Sequence, residues 1–347
     1  MKILALSLIS LCIVINVACA QPATIDKLRA DCKVTGLQFV WIDKGKITNY
    51  SLGTVFTGAD TKQKVNSTTI FQAASLSKVV LSYICMQLVA EKKINLDSPL
   101  HCYFEYPRMK DDSDSKKITA RMVLNHTTGW PNWAQNPMQK AWGTSTLKTQ
   151  FEPGTKWSYS GEGFVFLQLA IQSILKKDFQ AIATERVFKP LGMKNSSFIW
   201  KERFSETATY GFNSDNEPTE RSEFFLPNAA FSLLTTATDY SLFLKALLKQ
   251  QLSALLAAEV PVFDSKKPDN NAKHLFWGLG IGIQKNELGK IVWHWGDNGD
   301  YKTFFMINPE KQQIMVCFTN SINGLKLMKP LANIYFGKAS WYAAEWL

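Results

Sequence analysis

The sequence lacks the features that mark several whole classes of protein. Beyond the first twenty residues no apolar run is long enough to cross a bilayer, so no integral membrane span is expected. Cysteine is sparse. Cys12 and Cys19 fall within those twenty residues, and Cys32, Cys85, Cys102 and Cys317 are too scattered to make a disulfide framework. There is no G-x-S-x-G, which argues against a nucleophile elbow, and no H-E-x-x-H, which argues against a zinc peptidase. Internal repeats and low-complexity segments are missing too. The net charge of +10 comes with only short basic clusters such as Lys266-Lys267 and no nucleic-acid motif, so it reads as solvated surface.

What is present begins with a leader. Lys2, the apolar run from Ile3 to Val17 and Ala18-Cys19-Ala20 predict a secretory signal peptide over residues 1–20, cleaved before Gln21. The protein is then exported, periplasmic or extracellular. A lipoprotein anchor at Cys19 is the second reading, with Asn16 three residues upstream arguing against it. The remaining chain, from a 347-residue total that is 46% hydrophobic and 20% charged, suits a globular protein of one or two domains.

The chain is organised around Phe71-Gln72-Ala73-Ala74-Ser75-Leu76-Ser77-Lys78, which runs into the apolar stretch Val79 to Ala90. A helix there is apolar on nearly every face and belongs inside the protein. Ser75 and Lys78 are three residues apart, so the amine can reach the hydroxyl. Burial disfavours the ammonium, and a neutral lysine can take a serine proton. Ser-x-x-Lys also occurs at Ser113, Ser145 and Ser173, but in a charged loop, a linker and the end of an apolar segment. Two readings of Ser75 stand: a nucleophile activated by Lys78, or an N-capping serine followed by a surface lysine.

Around this stretch the chain alternates between strand and helix grammar. Gly36 to Ile42 and Lys46 to Phe56 predict a hairpin about Asp43-Lys44-Gly45. Short helical pieces follow: Ala120 to His126, Gly163 to Leu175 and Phe179 to Val187. A helix is predicted from Asp239 to Leu256, then strands over Phe276 to Gln284, Lys290 to Trp295, Tyr301 to Ile307 and Gln313 to Asn320. Their short turns require antiparallel neighbours. A last helix spans Gly324 to Phe336. The expected fold class is α+β: an antiparallel sheet formed from both termini and flanked by helices, plus a mostly helical inserted domain. The expected sheet domain takes residues 21–95 and 237–347, and the helical domain residues 96–236.

Acyl transfer needs a proton carrier and an oxyanion hole beside the nucleophile. Tyr159, just after the Pro153-Gly154 turn, is the candidate carrier; a buried structural tyrosine is the other reading. In Trp293-His294-Trp295-Gly296-Asp297-Asn298-Gly299, Gly296 lets a substrate backbone approach, and the N–H groups of Ser75 and Asp297 could form the oxyanion hole. His294 is either a hydrogen-bond donor beside the site or a strand histidine satisfied by a neighbour. The Asp297 carboxylate could favour substrates with a free amine.

Taken together, Ser75-Leu76-Ser77-Lys78, Tyr159-Ser160-Gly161 and His294-Trp295-Gly296 resemble, in order, the motifs of the penicillin-recognising serine hydrolases. These are class C β-lactamases, D-amino-acid peptidases and their esterase relatives. Leu124-Asn125-His126-Thr127-Thr128-Gly129, Pro190-Leu191-Gly192-Met193 and Trp277-Gly278-Leu279-Gly280 resemble further blocks, so the likeness covers residues 34 to 336. It implies a β-lactamase/transpeptidase-like fold in which Ser75 forms an acyl-enzyme, Lys78 and Tyr159 move its proton, and His294 orients substrate. It implies no metal and no organic cofactor. The implied partner is a β-lactam, a D-amino-acid peptide such as one derived from a cell wall, or a small ester. A carboxylesterase and a non-turnover penicillin-binding protein are the alternatives.

Three departures bear on substrate. Gly161 stands where the motif usually has Asn, His294 replaces the lysine of many β-lactamases, and Ala230-Phe231-Ser232 is expected to narrow the pocket. Ser214-Asp215-Asn216 spells a class A motif too late in the chain and reads as coincidence. Little sequence follows the last expected helix, so the extra C-terminal domain of some relatives is not expected.

Overall fold

Alternation along the strands divides the apolar residues between two cores. In the strand Gly36–Asp43, Leu37 and Phe39 face one side of a sheet, while Val40 and Ile42 face the other. Two strands from the far end of the chain repeat the division. Phe304, Met306, Met315 and Cys317 lie on the first side, and Phe305, Ile307, Ile314 and Val316 on the second. A sheet that is apolar on both faces needs a helical layer over each.

The structure, a computed structural model, describes residues 22–58, 61–262 and 273–347. The signal-peptide reading over residues 1–20 and Lys266-Lys267 lie outside the described residues. In chain order, a helix over residues 22–31 (α1) precedes β1 (Gly36–Asp43), β2 (Lys46–Gly58) and β3 (Thr61–Lys64). The short β4 (Phe71–Gln72) leads through a 3-10 turn, Ala74–Leu76, into α2 (Ser77–Ala90). The middle of the chain supplies α3 (Ala120–Leu124), α4 (Gly161–Leu175), α5 (Phe179–Ala183) with a π turn at Thr184–Phe188, and α6 (Lys189–Leu191). Then come β5 (Leu234–Thr235), α7 (Ala237–Gln250), α8 (Leu252–Leu255), β6 (Val260–Pro261), β7 (Leu275–Trp277) and β8 (Gly282–Asn286). The chain closes with β9 (Gly289–Asp297), β10 (Lys302–Asn308), β11 (Gln313–Thr319), α9 (Met328–Tyr335) and α10 (Tyr342–Trp346).

The large sheet runs β3-β2-β1-β11-β10-β9-β8-β7-β6, and its strand pairs are antiparallel. Strands from the two ends of the chain meet at β1 and β11, from Leu37 opposite Thr319 to Asp43 opposite Gln313. This is the α+β sheet built from both termini that the strand grammar predicts. Ile25 of α1, with α9 and α10, covers one face; α2 and α7 lie on the other, with α4 packed against α2. Lys44 and Gly45 both have positive φ, the two-residue hairpin turn whose twist suits the flanking strands.

The structure departs from the predicted elements where glycine resets the chain. The single strand predicted over Phe276 to Gln284 is two, β7 and β8, joined by a turn in which Gly278 N–H donates to the Ile281 carbonyl at 2.8 Å. Gly280 has φ +87°, and a Cβ there would stand 1.8 Å from Ser82 Oγ of α2, so this turn seats the sheet on the central helix. The helix predicted from Asp239 starts at Ala237, because the Thr236 side chain caps it by accepting from Asp239 N–H, and it breaks at Gln251 before α8. The helices α1 and α10 were not foreseen from the sequence.

One buried ion pair ties the helical segment together. Arg108 holds both carboxylate oxygens of Glu162, at 2.7 and 2.9 Å, and both side chains are almost wholly buried. Glu162 also accepts from Trp142 Nε1 and Ala134 N–H, which pins the loop between α3 and α4 to the first turn of α4. Removing one partner leaves the other charge buried and unpaired. Glu162→Ala is therefore expected to lower the unfolding free energy by about 3 to 5 kcal/mol, as read from urea denaturation. A loss below about 1 kcal/mol would show that the pair is dispensable.

Candidate active site

Ser75 sits in the 3-10 turn ahead of α2, half-buried, on a segment fixed from several sides. Ala73 N–H donates to the Leu233 carbonyl at 2.7 Å, and Leu233 N–H donates to Ser77 Oγ at 3.0 Å. Tyr240 Oη, from α7, donates to the Leu76 carbonyl at 3.0 Å, and Thr303 Oγ1, from β10, donates to the Ala73 carbonyl at 2.9 Å. The backbone between these ties is strained: buried Ala74 has φ +49°, a region that a side chain disfavours. The capping reading of Ser75 fails here. The cap positions belong to Ala73 and Leu76, without side-chain bonds, and Lys78 is only 1% exposed.

Lys78 Nζ donates to Ser75 Oγ at 3.1 Å and to the Ala230 carbonyl at 2.8 Å. It lies 4.9 Å from the centre of the Tyr159 ring and 5.7 Å from that of Phe164. Burial brings its pKa down to about 7, so a large share of the amine is neutral near neutral pH. A hydroxyl beside such an amine can be relieved of its proton. Burial pushes the Tyr159 phenol well above its ordinary value, with the Ser75 side chain pulling it partly back. Its buried Oη makes no hydrogen bond of normal geometry.

Two histidines flank this group. His294 is fully buried against Tyr159, Trp277 and Trp295, and burial, helped by Lys78, brings its pKa down to about 3. The neutral ring places Nδ1 2.7 Å from the Trp295 carbonyl, so Nδ1–H donates there and Nε2 is left an acceptor. This corrects the expectation of a donor toward the site. His126 has a role with no local signal in the sequence. At φ +58° it accepts from Ser158 N–H through its carbonyl (2.7 Å) and from Ser160 N–H through Nδ1 (3.0 Å), so it grips the backbone on both sides of Tyr159.

The end of β9 lies against the turn that carries Ser75. A Cβ on Gly296 would meet Thr303 Oγ1 at 2.3 Å and the Ala73 carbonyl at 2.5 Å. The glycine therefore lets the chain's own backbone approach, where the sequence suggested room for a substrate backbone. Asp297 does line the cleft in front of Ser75, but Lys302 Nζ stands 2.5 Å from its Oδ1 and neutralises it. That weakens the expected attraction for a free amine. Lys302 is the cross-strand neighbour of Asp297, so the two charges face each other across β9 and β10.

The cleft has a volume of ≈ 240 Å³ and is lined by Ser75, Lys78, Asn132, Trp133, Phe231 and Asp297, among others. Of Ala230-Phe231-Ser232, Ala230 and Phe231 form part of its wall, whereas Ser232 is buried and donates to the Phe198 carbonyl. Ser214-Asp215-Asn216 belongs to another part of the surface: Asn213 Oδ1 accepts from Asp215 N–H, and Asn216 lines a separate cavity beside Arg29. The Beta-lactamase family model matches residues 22–332.

The chain belongs to the Beta-lactamase family. It stands among the penicillin-recognising serine hydrolases, as its motifs implied. Protein flp of Staphylococcus aureus (strain MRSA252) is 23% identical over 309 residues, which span 83% of this chain and 60% of that protein. The chain thus spans under two thirds of the length of that curated relative. Among solved structures, a β-lactamase/D-alanine carboxypeptidase from Pseudomonas syringae matches with TM-score 0.78 and 16% identity, over 93% of this chain and 98% of that one. An octameric penicillin-binding protein homologue from Pyrococcus abyssi matches with TM-score 0.73 and 21% identity, over 91% and 76%. At these identities the two structures show the fold.

This member of the Beta-lactamase family fills the space of the missing asparagine with an aromatic ring. A Cβ on Gly161 would lie 2.4 Å from Trp133 Cζ2, and Gly161 N–H donates to Asn132 Oδ1 at 2.9 Å. Gly161→Ala is therefore expected to cost about 1 to 3 kcal/mol of stability, and a smaller cost in a Trp133→Ala background would identify the ring as the obstacle. An equal cost in both backgrounds would show that it is not. A second expectation concerns pH. The unfolded lysine binds a proton up to its ordinary value of 10.5, whereas the folded one loses it near 7, so the Lys78 contribution to stability rises across that window. Urea titrations should show the stability advantage of Lys78→Met shrinking between pH 7 and pH 10; a constant difference would count against a neutral amine.

Proposed function

We propose that this chain is an exported serine hydrolase acting through an acyl-enzyme at Ser75, and that it takes esters in preference to β-lactams. The observation carrying the reading is the Lys78 amine, 3.1 Å from Ser75 Oγ, its pKa lowered to about 7 by burial with no carboxylate offsetting it. Neutral Lys78 accepts the Ser75 proton as Oγ bonds to the substrate carbonyl. The N–H groups of Ser75 and Asp297 face the developing oxyanion, each donor being worth about 3 to 4 kcal/mol in such a role. The proton passes through the Tyr159 phenol to the leaving group, whose bond to carbon breaks. Water then attacks the acyl-enzyme and releases the acid, with the same groups carrying its proton back.

The preference for esters rests on Gly161 and Trp133. An amide recognised by the usual asparagine has no side chain to meet at position 161, and the Trp133 ring leaves no space for one. A neutral, inward-facing His294 adds no cation for a β-lactam carboxylate. Export is supported by Lys2, the apolar run after it and Ala18-Cys19-Ala20. In the same reading residues 21–95 and 237–347 form the sheet domain and residues 96–236 the helical one. The outer segments supply every strand of the large sheet among the described residues, which supports that division.

Purified protein should hydrolyse p-nitrophenyl acetate and take one fluorophosphonate adduct on Ser75, both abolished by Ser75→Ala. Lys78→Ala should lower kcat/KM by roughly 10²- to 10⁴-fold. The wild-type kcat/KM should rise with pH through about 7, as the amine loses its proton, and then level off. Hydrolysis surviving in Ser75→Ala would remove the proposal. A lasting penicillin adduct without ester turnover would instead make the chain a binding protein.

A further inference from the structure

The polar cleft in front of Ser75 opens into a larger apolar groove. The groove has a volume of ≈ 610 Å³, and Pro137, Met138, Phe224 and Phe231 belong to the walls of both. Phe231 stands at the junction, its ring edge-on to Trp133 (centroids 5.7 Å apart) and to Phe224 (5.5 Å). Beyond it, Val165 and Leu169 of α4 and Trp142 help to line the groove. Its lip carries Met138, Phe225 and Leu226, which are 57%, 71% and 83% exposed. The three large apolar side chains that are more than half exposed among the described residues thus gather at one place. Scattered single exposures are ordinary, but an exposed apolar patch adjoining a site marks a ligand or partner.

Two polar side chains that line the groove are engaged by neighbours. The Gln168 amide donates to the Pro227 carbonyl at 3.0 Å and accepts from Ala229 N–H at 2.6 Å, and Glu223 pairs with Arg221. The rest of the lining is mainly apolar, with the exposed Lys140 as its cation at the rim. We infer that it holds an unbranched alkyl chain of the substrate, so that the natural substrate is an ester carrying a medium-length aliphatic chain. Shared walls supply the reason for choosing this occupant. A chain attached to a carbonyl at Ser75 runs past Phe231 into the groove without leaving the protein surface. This inference rests on Ser75 being the nucleophile proposed above.

The test is kcat/KM for p-nitrophenyl esters from acetate to octanoate, and for the acetates of the matching n-alkanols, all below their critical micelle concentrations. Each methylene that enters the groove should raise kcat/KM by roughly three- to fourfold in one of the two series. In the Phe225→Ser/Leu226→Ser variant the ratio of long-chain to acetate kcat/KM should collapse toward one. Both residues are exposed, so thermal unfolding should be unaltered and the loss should not reflect misfolding. A flat length profile with acetate hydrolysis intact would overturn the inference and leave the Ser75 reading standing. So would a rise that persists in the variant. A gain that appears only with phosphatidylcholine vesicles would reassign the patch to a lipid surface, and a dimer in gel filtration that the variant abolishes would reassign it to a second copy. If neither acetate hydrolysis nor a fluorophosphonate adduct is found, it is the underlying reading that fails.

Discussion

An amine held away from water is the constraint on which this structure turns. Lys78 is enclosed by Ser75 Oγ, the Ala230 carbonyl and the faces of Tyr159 and Phe164, with no carboxylate to hold its proton. Keeping it there requires α2 to be surrounded, which explains why a helix of such uniform apolarity lies between the sheet and α4. The ammonium form bears the cost of desolvation, so the fold itself makes the base. Everything nearby then fixes distances. Leu233, Tyr240 and Thr303 each bond to the segment that carries Ser75, from three different elements or loops.

The same logic accounts for residues at the edge of the site that have no chemistry of their own. His126 holds Tyr159 by bonding to the residues on either side of it, which positions a phenol whose oxygen makes no hydrogen bond of normal geometry. Gly296 and Gly280 let two strand ends approach the Ser75 turn and α2 more closely than any side chain permits. The strain at Ala74 persists because the bonds on both sides of it determine its conformation.

Legibility in the sequence followed the range of the interaction. The pairing of Ser75 with Lys78 is local, so spacing within one turn of helix was enough to read it. Period-two patterns and hairpin turns gave β1, β2 and β9 to β11 for the same reason, and the joint order of three motifs gave the family. What escaped depended on contacts between distant segments. No local pattern shows that Trp133 occupies the space beside Gly161, or that His126 serves Tyr159. The split between β7 and β8 was hidden because Gly278-Leu279-Gly280 sits in an apolar run, and only α2 and Leu255 packing against it explain the turn. The tautomer of His294 was likewise set by a neighbour, the Trp295 carbonyl.

The junction of β1 with β11 has a consequence for how the molecule comes into being. Gln313 and Asp43, paired across it, are 270 residues apart in the chain. During synthesis the first hairpin emerges with one side unsatisfied and must wait for almost all of the protein before its partner exists. Contacts of such separation slow folding and leave a strand edge open to other chains in the meantime. The core around α2 draws on both β1 and β11, so it is complete only once the two ends of the chain have met.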